Sequence, residues 1–242
     1  MRVSLFVTCL IDQLWPAIGT STVEVLRRTG CEVVFDERQT CCGQPAFNTG
    51  YRSEARTLAK RFIEIFEATK ADAIVSPSGS CTAMVQHFHA LFETDDGWRK
   101  RAESIAARTY EFSSFLVNVL GVEDVGASFR GRVTWHDACH GLRDLHVHSE
   151  PRRLIRHVRG AEFIELKNAD ACCGFGGTFS VKYPEISVAI LDNKIDAIEQ
   201  SGVRAVVAGD ASCLMQIDGR LTRNRSAVRV MHLAELLAAR ET

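Results

Sequence analysis

No window of the 242-residue sequence approaches the roughly 18 consecutive apolar residues that a membrane-spanning helix needs, so no transmembrane segment is expected. Nor is there an excess of charge of either sign. Lys and Arg number 29 against 30 Asp and Glu, a formal net charge of -1. That balance removes the general attraction by which basic domains hold nucleic acid or an anionic membrane, so no nucleic-acid partner is expected. Proline is scarce, at five, and 46% hydrophobic content fits a compact globular chain rather than a disordered one. Residues 1–9 carry one basic side chain and no small-residue cleavage site, so they are expected to form a buried strand rather than a secretory signal.

Cysteine is what the chain has in quantity. Nine cysteines without a secretory signal point to metal or redox chemistry in a reducing, cytoplasmic compartment rather than to a disulfide framework. Two triplets stand out, Cys41-Cys42-Gly43 and Cys172-Cys173-Gly174. Adjacent cysteines bridge each other only with backbone strain, so each pair is expected to aim two sulfurs at something else. Lone cysteines repeat in the same order. Cys9 and Cys139 lie 130 residues apart, the paired cysteines 131, and Cys81 and Cys213 132. Cys31 has no counterpart and reads as ordinary core packing.

The pattern between the cysteines alternates strand and helix. Strands are expected at residues 3–8, 31–35, 71–76 and 109–112, and helices after Pro16, at 52–69, at 83–92, up to about 107 and at 113–120. The second half repeats the order, with strands at 132–136, 162–166, 205–208 and 228–233 and helices at 151–158, 184–200 and 234–239. It is shorter by about eleven residues near positions 93–102, read as a surface-loop deletion. The fold class is therefore α/β, with two tandem homologous halves, residues 1–125 and 126–242. Each is expected to be a small parallel sheet with helices on its faces, the halves meeting near residues 121–131. Ligands of such sheets sit at the carboxyl ends of the strands, where this reading puts all eight repeated cysteines.

Four thiolates per half suit zinc or an iron–sulfur cluster, the partners that soft sulfur selects. Structural zinc is usually held by short Cys-x-x-Cys knuckles, whereas these sulfurs come from three separate loops. The Gly174-Phe175-Gly176-Gly177 run can bring backbone N–H groups toward the sulfurs, but Phe179 spoils it as a dinucleotide fingerprint. His136 and His140 flank Cys139 as further candidates, with His146 and His148 weaker. Asp210 is a candidate metal ligand or a cap of the helix after it, and the basic run 152–157 a solvated face or a docking site for an acidic partner.

A lone cysteine, a Cys-Cys-Gly about 32 residues on and a last cysteine about 39 residues later, given twice, resembles the cysteine-rich CCG domains of iron–sulfur proteins. These include the cysteine-rich component of heterodisulfide reductase and the glycolate oxidase iron–sulfur subunit. The likeness is strongest to the short two-repeat lactate-utilization branch, through Pro77-Ser78-Gly79-Ser80-Cys81, His136-Asp137-Ala138-Cys139-His140 and Cys172-Cys173-Gly174-Phe175-Gly176-Gly177. The resemblance implies an electron-transfer component of an L-lactate oxidation complex that leaves substrate binding to its partners, a second iron–sulfur protein among them. A glycolate oxidase-like complex and a zinc-stabilised scaffold are the alternatives. It also implies one site at Cys9, Cys41, Cys42 and Cys81 and another at Cys139, Cys172, Cys173 and Cys213; Asp210 and His140 are weaker metal candidates from the residues themselves. The family's fuller pattern ends in Cys-x-x-Cys, but Ser78 and Asp210 stand at the first of those positions. Four sulfurs per site leave a [4Fe–4S] cluster, or zinc in one half, open in place of the noncubane cluster of the heterodisulfide reductases.

Overall fold

The computed structural model describes residues 1–241. The first half runs β1 (Arg2–Leu5), α1 (Cys9–Leu14), α2 (Pro16–Arg28), β2 (Glu32–Val34), α3 (Gln44–Asn48), α4 (Arg52–Ala68), β3 (Ala73–Ser76), α5 (Gly79–Gln86), a 3-10 turn (Phe88–Phe92), α6 (Asp96–Ala106), β4 (Thr109–Glu111) and α7 (Phe112–Ser114), which continues as a π turn (Phe115–Val119). The second runs β5 (Ser128–His136), α8 (Cys139–Arg143), α9 (Ser149–Arg156), β6 (Arg159–Phe163), α10 (Thr178–Lys182), α11 (Pro184–Gln200), β7 (Ala205–Ala208), α12 (Ala211–Arg223), β8 (Arg229–His232) and α13 (Leu233–Ala238). All pairings between these strands are parallel, in the orders β2-β1-β3-β4 and β6-β5-β7-β8. The expected α/β class with two parallel sheets is what the chain adopts.

Alternation along the strands sorts the apolar side chains into three cores. Val3 and Leu5 of β1, Val75 of β3, Val133 and Trp135 of β5 and Val207 of β7 face one central core. It also holds α2, α9, α13 and the π turn, so a single helical layer lies between the two sheets and belongs to both. The opposite face of the first sheet is covered by α4, α5 and α6, and that of the second by α11 and α12. The closing helix α13 packs on α2, and Arg28 at the end of α2 donates to the carbonyls of Leu237 (2.9 Å) and Ala238 (3.3 Å). Those are end-of-helix acceptors with no partner in their own helix.

Several expectations need correction. Cys81 and Cys213 do not lie in loops, because α5 and α12 begin two residues earlier. Helix α12 was given no range, only Asp210 as its possible cap, although Leu214, Ile217 and Leu221 form its buried stripe. The eleven residues missing from the second half amount to a helix rather than a loop, since no counterpart of α6 separates α12 from β8. Strand β6 ends at Phe163 instead of Leu166, because its register against β5 closes there and Leu166 turns into the outer core. Strand β5 starts at Ser128, inside the stretch expected to hold the boundary between the halves. The basic run is not a free charged face. Arg152 is buried between Asp137 and Glu165, Arg153 pairs with Glu123, and Arg156 lies over the Phe163 ring. Among the described residues no helix is long and apolar enough to cross a membrane.

A shared central layer makes the halves unfold together. Leu236→Ala, at a fully buried position of α13, is expected to cost about 2–5 kcal/mol and to lower one cooperative transition. Denaturant unfolding followed by far-UV circular dichroism and by tryptophan fluorescence, with Trp15 and Trp98 in the first half and Trp135 in the second, checks it; two separated transitions would contradict the shared layer.

Candidate metal centres

Both sheets deliver their cysteines in the same way. The switch point of each sheet falls between its two central strands, where the chain leaves in opposite directions and a crevice opens at the carboxyl ends. Cys9 and Cys139 are the first residues of α1 and α8, just after β1 and β5, and Cys81 and Cys213 lie in the first turns of α5 and α12, just after β3 and β7. Helix N-termini favour negative charge, so these positions suit thiolates. The adjacent pairs arrive from the loops after β2 and β6.

The sulfurs meet. Cys9 and Cys41 lie 3.6 Å apart and Cys173 and Cys213 3.2 Å, and the remaining sulfurs of each quartet stand close enough to shift one another's ionisation. A disulfide needs about 2.05 Å, and all nine cysteines are free. A tetrahedral metal with sulfur bonds of about 2.3 Å holds its sulfurs about 3.8 Å apart, close to the spacing here. In each quartet two sulfurs are buried, Cys42 with Cys81 and Cys173 with Cys213, and two are half-buried, Cys9 with Cys41 and Cys139 with Cys172. Cys31 sits in the central core, apart from both quartets.

The glycine of each triplet sets the geometry. Gly43 and Gly174 have φ of +87° and +82°, and their N–H groups turn back to donate to Cys41 Sγ and Cys172 Sγ, each at 3.3 Å. A Cβ on Gly174 would lie 2.4 Å from the Ser187 carbonyl oxygen, whereas one on Gly43 would make only contacts of 3.4 Å and more. Cys41 accepts from the Cys42 and Cys9 thiols as well, which pulls it down to about 3. Cys172, accepting from Cys139 and Cys173, falls to about 2. The donors Cys9, Cys42, Cys139 and Cys173 are pushed up. Each quartet thus ionises first at the sulfur that faces the glycine N–H. Cys213 is lowered to about 6 by the Cys173 thiol and by His136, against its burial.

The polar candidates sort themselves. Asp210 starts α12 but its carboxylate reaches into the other half, accepting from the Ser80 N–H (2.7 Å), the Ser80 hydroxyl (3.0 Å) and the Ser212 hydroxyl (3.0 Å). It caps α5 rather than the helix it begins. Ser78 caps α5 too, through the Cys81 N–H at 3.3 Å. His140 Nδ1 pairs with Asp144 at 2.6 Å, and its Nε2 faces Gln44 at 3.4 Å across a cleft of about 360 Å³ between the halves. The histidine brought to the sulfurs is His136. One of its ring nitrogens lies with the sulfurs of Cys173 and Cys213 in a group whose members are all within 4.8 Å of one another. Two soft-donor quartets with an unpartnered buried imidazole beside one of them fit a metal or metal cluster.

A sequence profile of the cysteine-rich domain CCG matches residues 3–86 and again 133–218. The chain belongs to the CCG cysteine-rich domain family. Each matched segment contains one complete quartet. Similar proteins include lactate utilization protein A of an Exiguobacterium species, 50% identical over 236 residues (98% of this chain and 96% of that one). Its namesake in Bacillus subtilis is 49% identical over 240 residues (99% and 100%). Among solved structures a putative Asp/Glu racemase from Yersinia pestis aligns over 98% of this chain and 96% of its own at 10% identity, with a TM-score of 0.38, too low to carry an argument.

Two outcomes are expected of this geometry. Gly174→Ala should destabilise by roughly 3 kcal/mol or more and Gly43→Ala by about 1–2 kcal/mol, measured as shifts of the denaturant midpoint, because only the first meets a carbonyl. The second concerns Asp137, two residues before Cys139. Burial pushes its carboxyl up, but the Arg152 guanidinium at 2.7 Å and the Trp135 N–H hold it below the usual carboxylate range. A carboxylate lowered by folding contributes stability above its unfolded value of about 3.9, and loses it as pH falls through the lower folded value. Arg152→Ala should therefore cost about 3–5 kcal/mol at pH 7, and its deficit should shrink in melts below about pH 4, where Asp137 takes up a proton.

Proposed function

We propose that this chain is an iron–sulfur electron-transfer component of an L-lactate oxidation system, with one cluster held by Cys9, Cys41, Cys42 and Cys81 and another by Cys139, Cys172, Cys173 and Cys213. The observation that carries the proposal is the duplicated sulfur quartet, assembled at the switch point of each sheet from three separate segments. Lactate enters through the names of relatives about 50% identical over nearly the whole chain.

A bound [4Fe–4S] cluster would supply one-electron storage. The rest falls to the chain's own residues. Cys41 and Cys172 offer thiolate without a strong base, because neighbouring thiols and the glycine N–H groups already stabilise their charge. Those N–H groups also offset negative charge on the sulfurs, which favours the reduced state. Cys42 and Cys81 lie in an apolar cluster with Phe6, Phe62 and Phe88 that excludes water from one side. Cys9, Cys41, Cys139 and Cys172 are half-buried, so the side of each cluster they hold would be the one open to the protein that oxidises lactate and to a second iron–sulfur protein. Nine cysteines without a disulfide suit the cytoplasm, and residues 1–125 and 126–242 act as the two CCG repeats.

Purification under anaerobic conditions should give coloured protein with iron and acid-labile sulfide in equal amounts. Cys42→Ser and Cys173→Ser should each remove the iron of their own half, about half of the total. Metal-free protein, or zinc as the only metal, would overturn the electron-transfer reading.

A further inference from the structure

The two quartets are built alike but backed differently. In the repeat register Phe6 corresponds to His136 and Phe62 to Lys194. In the first half both aromatics pack behind the sulfurs, Phe6 edge-on to Phe62 with ring centroids 4.8 Å apart, in one cluster with Cys42 and Cys81. In the second half the same two places hold basic side chains in full burial, with His136 0% and Lys194 1% exposed.

Lys194 is satisfied. Its Nζ donates to the Asn168 and Ala169 carbonyls at 2.7 and 3.0 Å, which pins the loop leading to Cys172. His136 is not: among the described residues neither ring nitrogen has a hydrogen-bond partner of good geometry, and what the ring stands against is the Cys213 sulfur, itself a candidate ligand. Leaving a buried polar group unpaired costs about 1–3 kcal/mol, and Phe6 shows that the fold accepts a hydrocarbon at this point. An imidazole held there at that cost, with a nitrogen beside the Cys173 and Cys213 sulfurs, has its partner outside the polypeptide. Asp210 is no rival for that role, because its oxygens are committed to Ser80 and Ser212.

We propose that His136 donates a ring nitrogen to the metal group of the second quartet, making that centre a mixed thiolate–imidazole site while the first is thiolate only. The proposal rests on the reading that the quartets hold metal. Iron and zinc both accept sulfur and imidazole together, whereas the first quartet, walled by Phe6, offers sulfur alone. The chain would then carry two metal centres of unlike donor sets in one duplicated frame.

X-ray absorption at the K-edge of whichever metal the anaerobically purified full-length chain holds tests this directly, because a ligated imidazole adds outer-shell scattering that thiolates lack. The variant C42S/C81S keeps the second centre and C173S/C213S the first. The imidazole signature is expected in wild type and in C42S/C81S, absent from C173S/C213S, and lost when H136F is added to wild type or to C42S/C81S. H136F installs the side chain that the first half already carries, and H136C, which offers a thiolate instead, should keep the metal without the signature. Wild-type protein without metal overturns the metal-centre reading, and this proposal with it. Metal in the second centre with no imidazole signature, or with one that survives H136F, overturns this proposal alone.

Discussion

Two sulfurs from neighbouring residues can reach one point only if the backbone turns immediately behind them. Side chains at i and i+1 of an extended chain point to opposite sides, so a Cys-Cys pair in a strand would send its sulfurs apart. The left-handed glycine after each pair makes the turn and, in the same motion, brings an N–H onto the first sulfur. The other parts follow from that corner. The lone cysteines stand on helix N-termini because a parallel strand followed by a helix delivers its first turn to the same edge. The outer cores hold those helices in place.

Much of this was legible in the sequence where a segment is long and periodic. Helices α4 and α11, with apolar positions every three or four residues and clear ends, were placed to within one residue, and β7 was placed without error. The register of the cysteines located both quartets, because a repeat exposes spacing that no single motif does. The helices beginning at Cys9, Gly79, Cys139 and Ala211 were obscured, since a cysteine read as a loop ligand hides the helix it starts. Their signal was present in α12 as Leu214, Ile217 and Leu221.

What was not legible depends on distance. Nothing local indicates that the Asp210 carboxylate serves Ser80, 130 residues away, or that Arg152 is swallowed between Asp137 and Glu165. Both histidines flank Cys139 and the sequence favoured His140 as the metal candidate, yet α8 turns His140 toward the cleft while β5 ends with His136 in the interior. Extending the repeat register from the cysteines to the residues behind them, Phe6 against His136 and Phe62 against Lys194, separates the two histidines by a means that needs no coordinates.

The packing of α13 on α2 has a consequence for the order in which the molecule is made. Synthesis runs from the N-terminus, and α2 is complete when about one eighth of the chain has been translated, yet the helix that covers it lies at residues 233–238. A nascent chain that has emerged through its first repeat already possesses Cys9, Cys41, Cys42 and Cys81, but not the layer that fixes the inner face of their sheet. The inner face of the first sheet is thus completed by the last helix of the chain, whereas the outer core behind Cys42 and Cys81 is built from the first half alone.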